Sequence, residues 1–376
     1  VASLNKKWSY KGDFMSSKIP VGILGATGVV GQNYIRLLQN HPWFEITYLA
    51  ASPASAGKKY SEAVEGRWHM SMSIPHSVAS LIVHDANVID QAAGKCVLVF
   101  SAVDMDKSAV AALELAYAEK GFAVVSNNSA HRHTPDVPMV LPEINSDHLD
   151  IIPIQRKHYG WSSGCIVVKS NCSIQSYMTP IFALMQAGYK VKTMMVTTLQ
   201  ALSGAGYPGP SAFDMIDNII PYIKGEEEKS EIEPLKILGS ISDGKIIAAQ
   251  SPVISAHCNR VPVIDGHTAC VSMAFDGKKP SDSEIVSIWR NFKSLPQELK
   301  LPSAPVPPLE YRDEPNRPQP RKDRDTGNGM TVVVGRLRPC NVFDYRFVGL
   351  HHNTVRGAAG GCILSAELLK AKGYIG

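Results

Sequence analysis

Val21-Gly22-Ile23-Leu24-Gly25-Ala26-Thr27-Gly28-Val29-Val30-Gly31 is the stretch on which the fold turns. An apolar run enters three glycines spaced three apart, and an amphipathic segment follows with Val30, Tyr34, Leu37 and Leu38 on one face, stopped before Pro42. A strand that turns over glycines into a helix leaves backbone N–H groups unpaired at the helix N-terminus, where phosphate is attracted. The segment therefore reads as the first βα unit of a dinucleotide-binding sheet, with Gly25, Thr27, Gly28, Val29, Val30 and Gly31 as the cofactor loop. Its spacing is G-x-x-G-x-x-G, not the commoner G-x-G-x-x-G, so placement between strand and helix carries the argument.

The same alternation continues outward. Strands are expected over 45–51, 96–102, 122–126 and 165–169, and helices over 108–120, closed by Gly121, and 174–186, ended by Gly188. That pattern predicts an α/β, Rossmann-like parallel sheet flanked by helices. Residues 296–330 carry eight prolines, which exclude a regular helix or central strand and predict a long loop or arm. Glycines at 357, 360 and 361 lead into a closing helix with Ile363, Leu364, Leu368 and Leu369 as its stripe.

A chain of 376 residues suggests two domains, each able to bury its own core. With 38 Lys+Arg against 34 Asp+Glu the charge is nearly balanced and scattered, which argues against nucleic-acid binding. No apolar run reaches membrane-spanning length, and no membrane partner is expected. Seven cysteines, odd in number and without a C-x-x-C pair, read as reduced and cytoplasmic. Met15 reads as a natural start, with residues 1–14 a disordered extension.

The second strand of an NAD-binding unit should end in Asp or Glu. Here it runs into Ser52-Pro53-Ala54-Ser55-Ala56-Gly57-Lys58, and hydroxyls with an ammonium suit a 2′-phosphate, so NADP is the expected cofactor. Cys172 stands where a strand passes into a helix, a position expected to lower a thiol pKa and favour the nucleophilic thiolate. Asn171 with the Cys172 N–H is the matching candidate oxyanion hole. His267, after the Gly266 hinge, reads from its own surroundings as a structural histidine or a proton carrier. Neither His131 with His133 nor His351 with His352 has Cys or carboxylate at zinc-like spacing, so no metal is expected.

Eight motifs then act together: GATGVVG (25–31), ASPASAGKKY (51–60), SNNSAHR (126–132), SNCSIQ (170–175), QALSGAGYPG (200–209), RVPVIDGH (260–267), NRPQPRKDR (316–324) and HHNTVRGAAGG (351–361). From Ile19 onward the chain resembles the aspartate-semialdehyde dehydrogenases of the fungal and archaeal branch. The resemblance implies NADP-dependent reduction of aspartyl phosphate to the semialdehyde, and a homodimer or homotetramer. It implies an NADP-binding domain over 1–158 completed by the C-terminal helix, 351–376, and a mixed α+β catalytic and dimerisation domain over 159–350 that includes the 296–330 arm. It further implies Cys172 as nucleophile, His267 as acid/base, Gln200 as the residue orienting the acyl group, and Arg260 for the carboxylate. By the same resemblance Arg132 and Lys236 take phosphate, Glu233 takes the ammonium, and Ser203, Gly204 and Asn353 add to the cofactor site. Glu226, Glu227, Glu228 and Glu231 stand close enough to compete with Glu233.

Acetylglutamyl-phosphate reductase shares the loop, cysteine and histidine, but its acylated nitrogen needs no anion, so Glu233 and the QALSGAG run weigh against it. A non-catalytic NADP sensor would have no use for Cys172 and His267. A cofactor-free cysteine acyltransferase would have none for the glycine loop.

Overall fold

A computed structural model describes residues 18–376; the expected extension at 1–14 lies outside them. Strands β1 (Ile19–Leu24), β2 (Phe44–Ala51), β3 (Val83–Asp85), β4 (Leu98–Ser101), β5 (Ala123–Ser126), β6 (Met139–Val140) and β7 (Cys165–Lys169) form one sheet in the order β3-β2-β1-β4-β5-β7-β6. Each neighbouring pair is parallel. Both faces of such a sheet are covered, which is why β4, β5 and β7 are apolar runs without an exposed residue. Helices α1 (Val29–Leu38) and α2 (Lys107–Glu119) supply part of that cover. The strand order reverses between β1 and β4, and the crevice opens at their C-terminal ends.

The expected boundary at 158 differs from what the sheet shows. Strand β7 pairs with β5 and β6, so the first unit runs on to Lys169. A fully buried strand cannot leave its neighbours without exposing backbone donors and acceptors.

Helix α3 (Gln175–Gln186) then leads into β8 (Val191–Gln200). Helix α4 (Glu226–Ile237) and a small hairpin, β9 (Ser240–Ser242) with β10 (Lys245–Ile247), precede β11 (Val253–Arg260) and β12 (His267–Phe275). After helix α5 (Asp282–Asn291) come β13 (Leu309–Arg312), β14 (Val332–Pro339) and β15 (Tyr345–His351). The second sheet is mixed, in the order β11-β8-β12-β15-β14-β13. Trp289 of α5 packs on Phe347, closing one face, while Met195 and Val253 are exposed on the strands. Strand β11 alternates accordingly.

Within the proline-rich arm, β13 is an edge strand, the place in a sheet that tolerates nearby proline. Buried Asp323 ties the arm down, accepting from Arg312 Nε at 3.2 Å, from Arg317 Nε at 2.7 Å and from Gln319 N–H at 2.7 Å. The chain then returns to the first domain. Helix α6 (Gly360–Ala371) places Cys362, Leu364 and Leu368 in the same buried cluster as Val21, Ile23, Tyr34 and Leu98. His351, expected with that final stretch, is instead the last residue of β15, paired with His267.

Candidate active site

Strands β8 and β11 are parallel, with Gln200 opposite Arg260 at their last residues, and β12 runs antiparallel to β8. The ends of β8 and β11 therefore coincide with the start of β12, where His267 stands. Cys172 follows β7 at the C-terminal edge of the first sheet. Between these strand ends and the glycine loop lies a cavity of about 680 Å³, lined by Thr27, Gly28, Val29, Cys172, Gln200 and Arg260 among others.

Across that cavity Cys172 Sγ lies 3.4 Å from His267 Nε2. His267 is wholly buried, and its Nδ1 accepts the Ala201 N–H at 3.0 Å. That bond assigns the proton of the neutral ring to Nε2, on the sulfur side. Burial, with Arg260 and Lys169 nearby, pushes its pKa well below the usual histidine value, so the ring is neutral. Gly204 closes over His267 and Arg260: a Cβ there would stand 2.9 Å from Arg260 Nη1 and 3.0 Å from His267 Nε2.

The thiol departs from expectation. Burial and the Glu226 carboxylate raise the Cys172 pKa, against Lys169, Arg132 and Arg260, which lower it. Helix α3 begins only at Gln175, and a helix dipole fades within its first turn.

Asn171 also differs from its expected role. Its Nδ2 donates to both Glu226 oxygens, at 2.8 and 3.0 Å, and its Oδ1 accepts from Ser173 N–H, so the side chain is committed to shaping the turn. Gln200 Nε2 donates to the same Glu226 at 3.1 Å. Burial raises the Glu226 pKa, but Lys229, Gln200 and Asn171 outweigh it and hold the carboxylate below the usual range. Of the α4 acids, Glu226 is the one that lines the cavity. Glu233 lies two turns further along α4, accepting from Arg132 Nη1 at 2.9 Å and from the Asn171 N–H at 2.5 Å, with both oxygens engaged.

Arg132 lines the cavity, though it also donates to the Lys169 carbonyl. Lys236 stands behind it, donating to the Arg132 and Thr134 carbonyls at 2.8 and 2.7 Å, and is absent from the cavity wall. Arg260 Nη1 donates to the Ala201 carbonyl at 2.6 Å, leaving other guanidinium donors for a ligand.

The cofactor residues fall into two groups. Gly25 has φ +81°, and a Cβ there would come within 2.3 Å of the Ala102 carbonyl. The N-terminus of α1 has no side-chain cap among the described residues, and a Cβ on Gly28 would meet nothing closer than the Gly25 carbonyl at 3.5 Å, which leaves its N–H groups to a pyrophosphate. Ser203 and Gly204 line the cavity, and Asn353 does so while donating to Ser203 Oγ at 2.8 Å. Asn127 Oδ1, on the same wall, is buried with no partner among the described residues and suits an amide donor such as a carboxamide. Ser52 and Lys58 are exposed beyond β2 and Ser55 is buried in the turn; none of the three reaches the catalytic cavity.

The comparisons with known proteins agree with that geometry. Residues 20–152 match the semialdehyde dehydrogenase NAD-binding domain and residues 181–356 the semialdehyde dehydrogenase dimerisation domain. Aspartate-semialdehyde dehydrogenase of Trichophyton rubrum is 44% identical over 96% of this chain and 99% of its own. That of Archaeoglobus fulgidus is 46% identical over 93% and 97%. The chain belongs to the aspartate-semialdehyde dehydrogenase family. A crystal structure of the Candida albicans member with NADP superposes with a TM-score of 0.86 at 40% identity, over 95% of this chain and all of that one. A Vibrio cholerae member, at 22% identity and TM-score 0.71, shares the fold.

Against this family background, the residues that sequence reasoning missed are Lys169, Asn127 and Glu226 as the cavity-facing acid. Lys169 had a legible signal: a single cation ending the apolar run Cys165-Ile166-Val167-Val168, at the sheet edge where ligands sit. For Glu226 there was none, because α4 carries acids at 226, 227, 228, 231 and 233 and only its rotation selects among them.

Proposed function

We propose that the protein reduces L-4-aspartyl phosphate to L-aspartate 4-semialdehyde with NADPH, reversibly, through a thioester on Cys172. The observation that carries this is the Cys172–His267 contact facing both the glycine loop and Arg260 across one cavity. The Cys172 thiolate attacks the acyl carbon; the C–S bond forms, the C–O bond to phosphorus breaks, and phosphate leaves past Arg132. NADPH, held by the Gly25–Gly31 loop, Ser203 and Asn353, supplies the hydride when bound. His267 Nε2–H faces the oxygen that then gains charge and lends it a proton; on product release the proton returns to Nε2 as the C–S bond breaks, the aldehyde forms and the thiolate returns.

Arg260 offers a two-pronged grip for the α-carboxylate. Glu226, held ionised and lining the cavity, receives the α-ammonium in place of Glu233, which is absent from the cavity wall. Lys236 supports phosphate from behind by fixing the Arg132 backbone. Ser52 and Lys58, with Ser55 bracing the turn, meet the 2′-phosphate. The product serves formation of the aspartate-derived amino acids. The first domain takes the cofactor and the second joins copies of the chain through its open sheet, as a homodimer or a pair of dimers. No helix among the described residues is long and apolar enough to cross a membrane, and all seven cysteines are free, which supports a reducing cytoplasmic setting.

The test gives the purified protein aspartate semialdehyde or N-acetylglutamate semialdehyde, each with NADP and phosphate, and follows NADPH absorbance. Phosphate-dependent turnover of the first alone is expected. Comparable turnover of the acetylated compound, or oxidation indifferent to phosphate, would overturn the reading.

A further inference from the structure

We propose that Lys169 is the counter-ion of the Cys172 thiolate. It closes β7, so the strand that delivers Cys172 to the cavity delivers Lys169 with it. Lys169 is 3% exposed, yet it lines the same cavity as Asn171 and Cys172. Two glycines four residues apart make the room: a Cβ on Gly361 would stand 3.4 Å from Lys169 Cδ, and one on Gly357 would stand 3.1 Å from Cys172 Cβ.

The Lys169 ammonium donates to the Ser170 carbonyl at 2.5 Å and makes no other side-chain hydrogen bond among the described residues. Nor does it have an ion pair there, since Glu233 is taken by Arg132 and Glu226 by Lys229. An ammonium carries three donors, so two remain for an anion, and a buried cation without one is costly. Of the other cations at the site, Arg132 is the more committed, and the free donors of Arg260 are those assigned to the substrate carboxylate. Arg132 donates to Glu233, the Lys169 carbonyl and the Asn127 carbonyl, and Arg260 donates to the Ala201 carbonyl.

His267 cannot take the thiol proton as it stands. Its Nδ1 accepts the Ala201 N–H, so Nε2 already bears the ring proton and can only donate toward sulfur. A thiolate at this position therefore needs a cation other than imidazolium. Burial lowers the Lys169 pKa to about 8, with Cys172 pulling it upward, Arg132 downward, and Cys362 and Glu233 upward. Around the sulfur stand Glu226, which opposes the thiolate, and Arg132 and Arg260, which favour it.

This deepens the proposed reaction, and its test needs no substrate. The whole protein is treated with iodoacetamide, an uncharged reagent, across a pH series, and the Cys172 peptide is quantified by mass spectrometry. In Lys169→Met the midpoint of the alkylation profile should rise by about one unit, slowing alkylation at pH 7 about tenfold, while Lys169→Arg stays near the parent. Lys169→Gln, which can still donate to Ser170, makes the same comparison if Lys169→Met fails to fold. His267→Asn should shift the midpoint less than Lys169→Met. A neutral variant whose profile superimposes on the parent, or a larger shift in His267→Asn, overturns the assignment. The semialdehyde assay can fail while this profile holds, and the reverse, so the two readings are judged separately.

Discussion

At Cys172 the side chain alone explains little. Burial and Glu226 work against its thiolate, and the surrounding cations work for it, so reactivity is a balance fixed by neighbours. Cys172→Ala should abolish turnover with the fold intact by circular dichroism. His267→Asn should lower kcat about 10²-fold with a smaller effect on KM, because proton delivery belongs to the transition state. The two acids of α4 should separate in experiment. Glu226→Gln should raise the KM for aspartate semialdehyde and lower the melting temperature less than Glu233→Gln, because Lys229 can turn to solvent whereas Arg132 is left buried beside a neutral amide. If Glu233→Gln gives the KM effect and Glu226→Gln does not, the assignment of the ammonium site reverses.

The element that decides cofactor binding is the βα turn. Gly31 sits where a Cβ would meet the Gly25 carbonyl at 2.3 Å, so Gly31→Ala must push the loop away from the helix. It should raise the KM for NADP more than that for the semialdehyde, at a stability cost of about 1–3 kcal/mol. Beyond β2 the turn carries Ser52 and Lys58, and charge-assisted bonds of about 1.5–3 kcal/mol imply a preference for NADP over NAD of roughly 10- to 150-fold. Equal efficiency with both cofactors, measured as kcat/KM, would refute that use of the turn. The strand-glycine-helix order was legible because glycine spacing and apolar periodicity are local properties. The end of the first domain was less so: the run 165–169 has the composition of a buried strand, and its pairing with β5 and β6 is a matter of register between distant segments.

Across the whole molecule, Arg356 joins what the chain separates. Its guanidinium donates to Glu143 at 2.8 and 3.0 Å, to the Met330 carbonyl at 2.7 Å and to Thr179 Oγ1 at 3.2 Å, with Arg356 and Glu143 both buried. Arg356→Ala leaves a buried carboxylate unpaired and should cost about 3–5 kcal/mol, read as a lower denaturant midpoint. An unchanged midpoint would show that the final segment is held by helix α6 alone. The sequence by itself determined the dinucleotide loop, the parallel α/β alternation and Cys172 as the candidate thiol. Those depend on residue type and short-range spacing, whereas His267 was named as its partner through the family resemblance carried by RVPVIDGH. Only the tertiary structure decided which of the α4 carboxylates faces the cavity, that Lys236 stands behind Arg132, that burial and Glu226 raise the thiol pKa, and that Lys169 shares the cavity with Cys172. Each depends on where a side chain ends relative to segments tens of residues away, and burial and hydrogen bonding act on that distance in space.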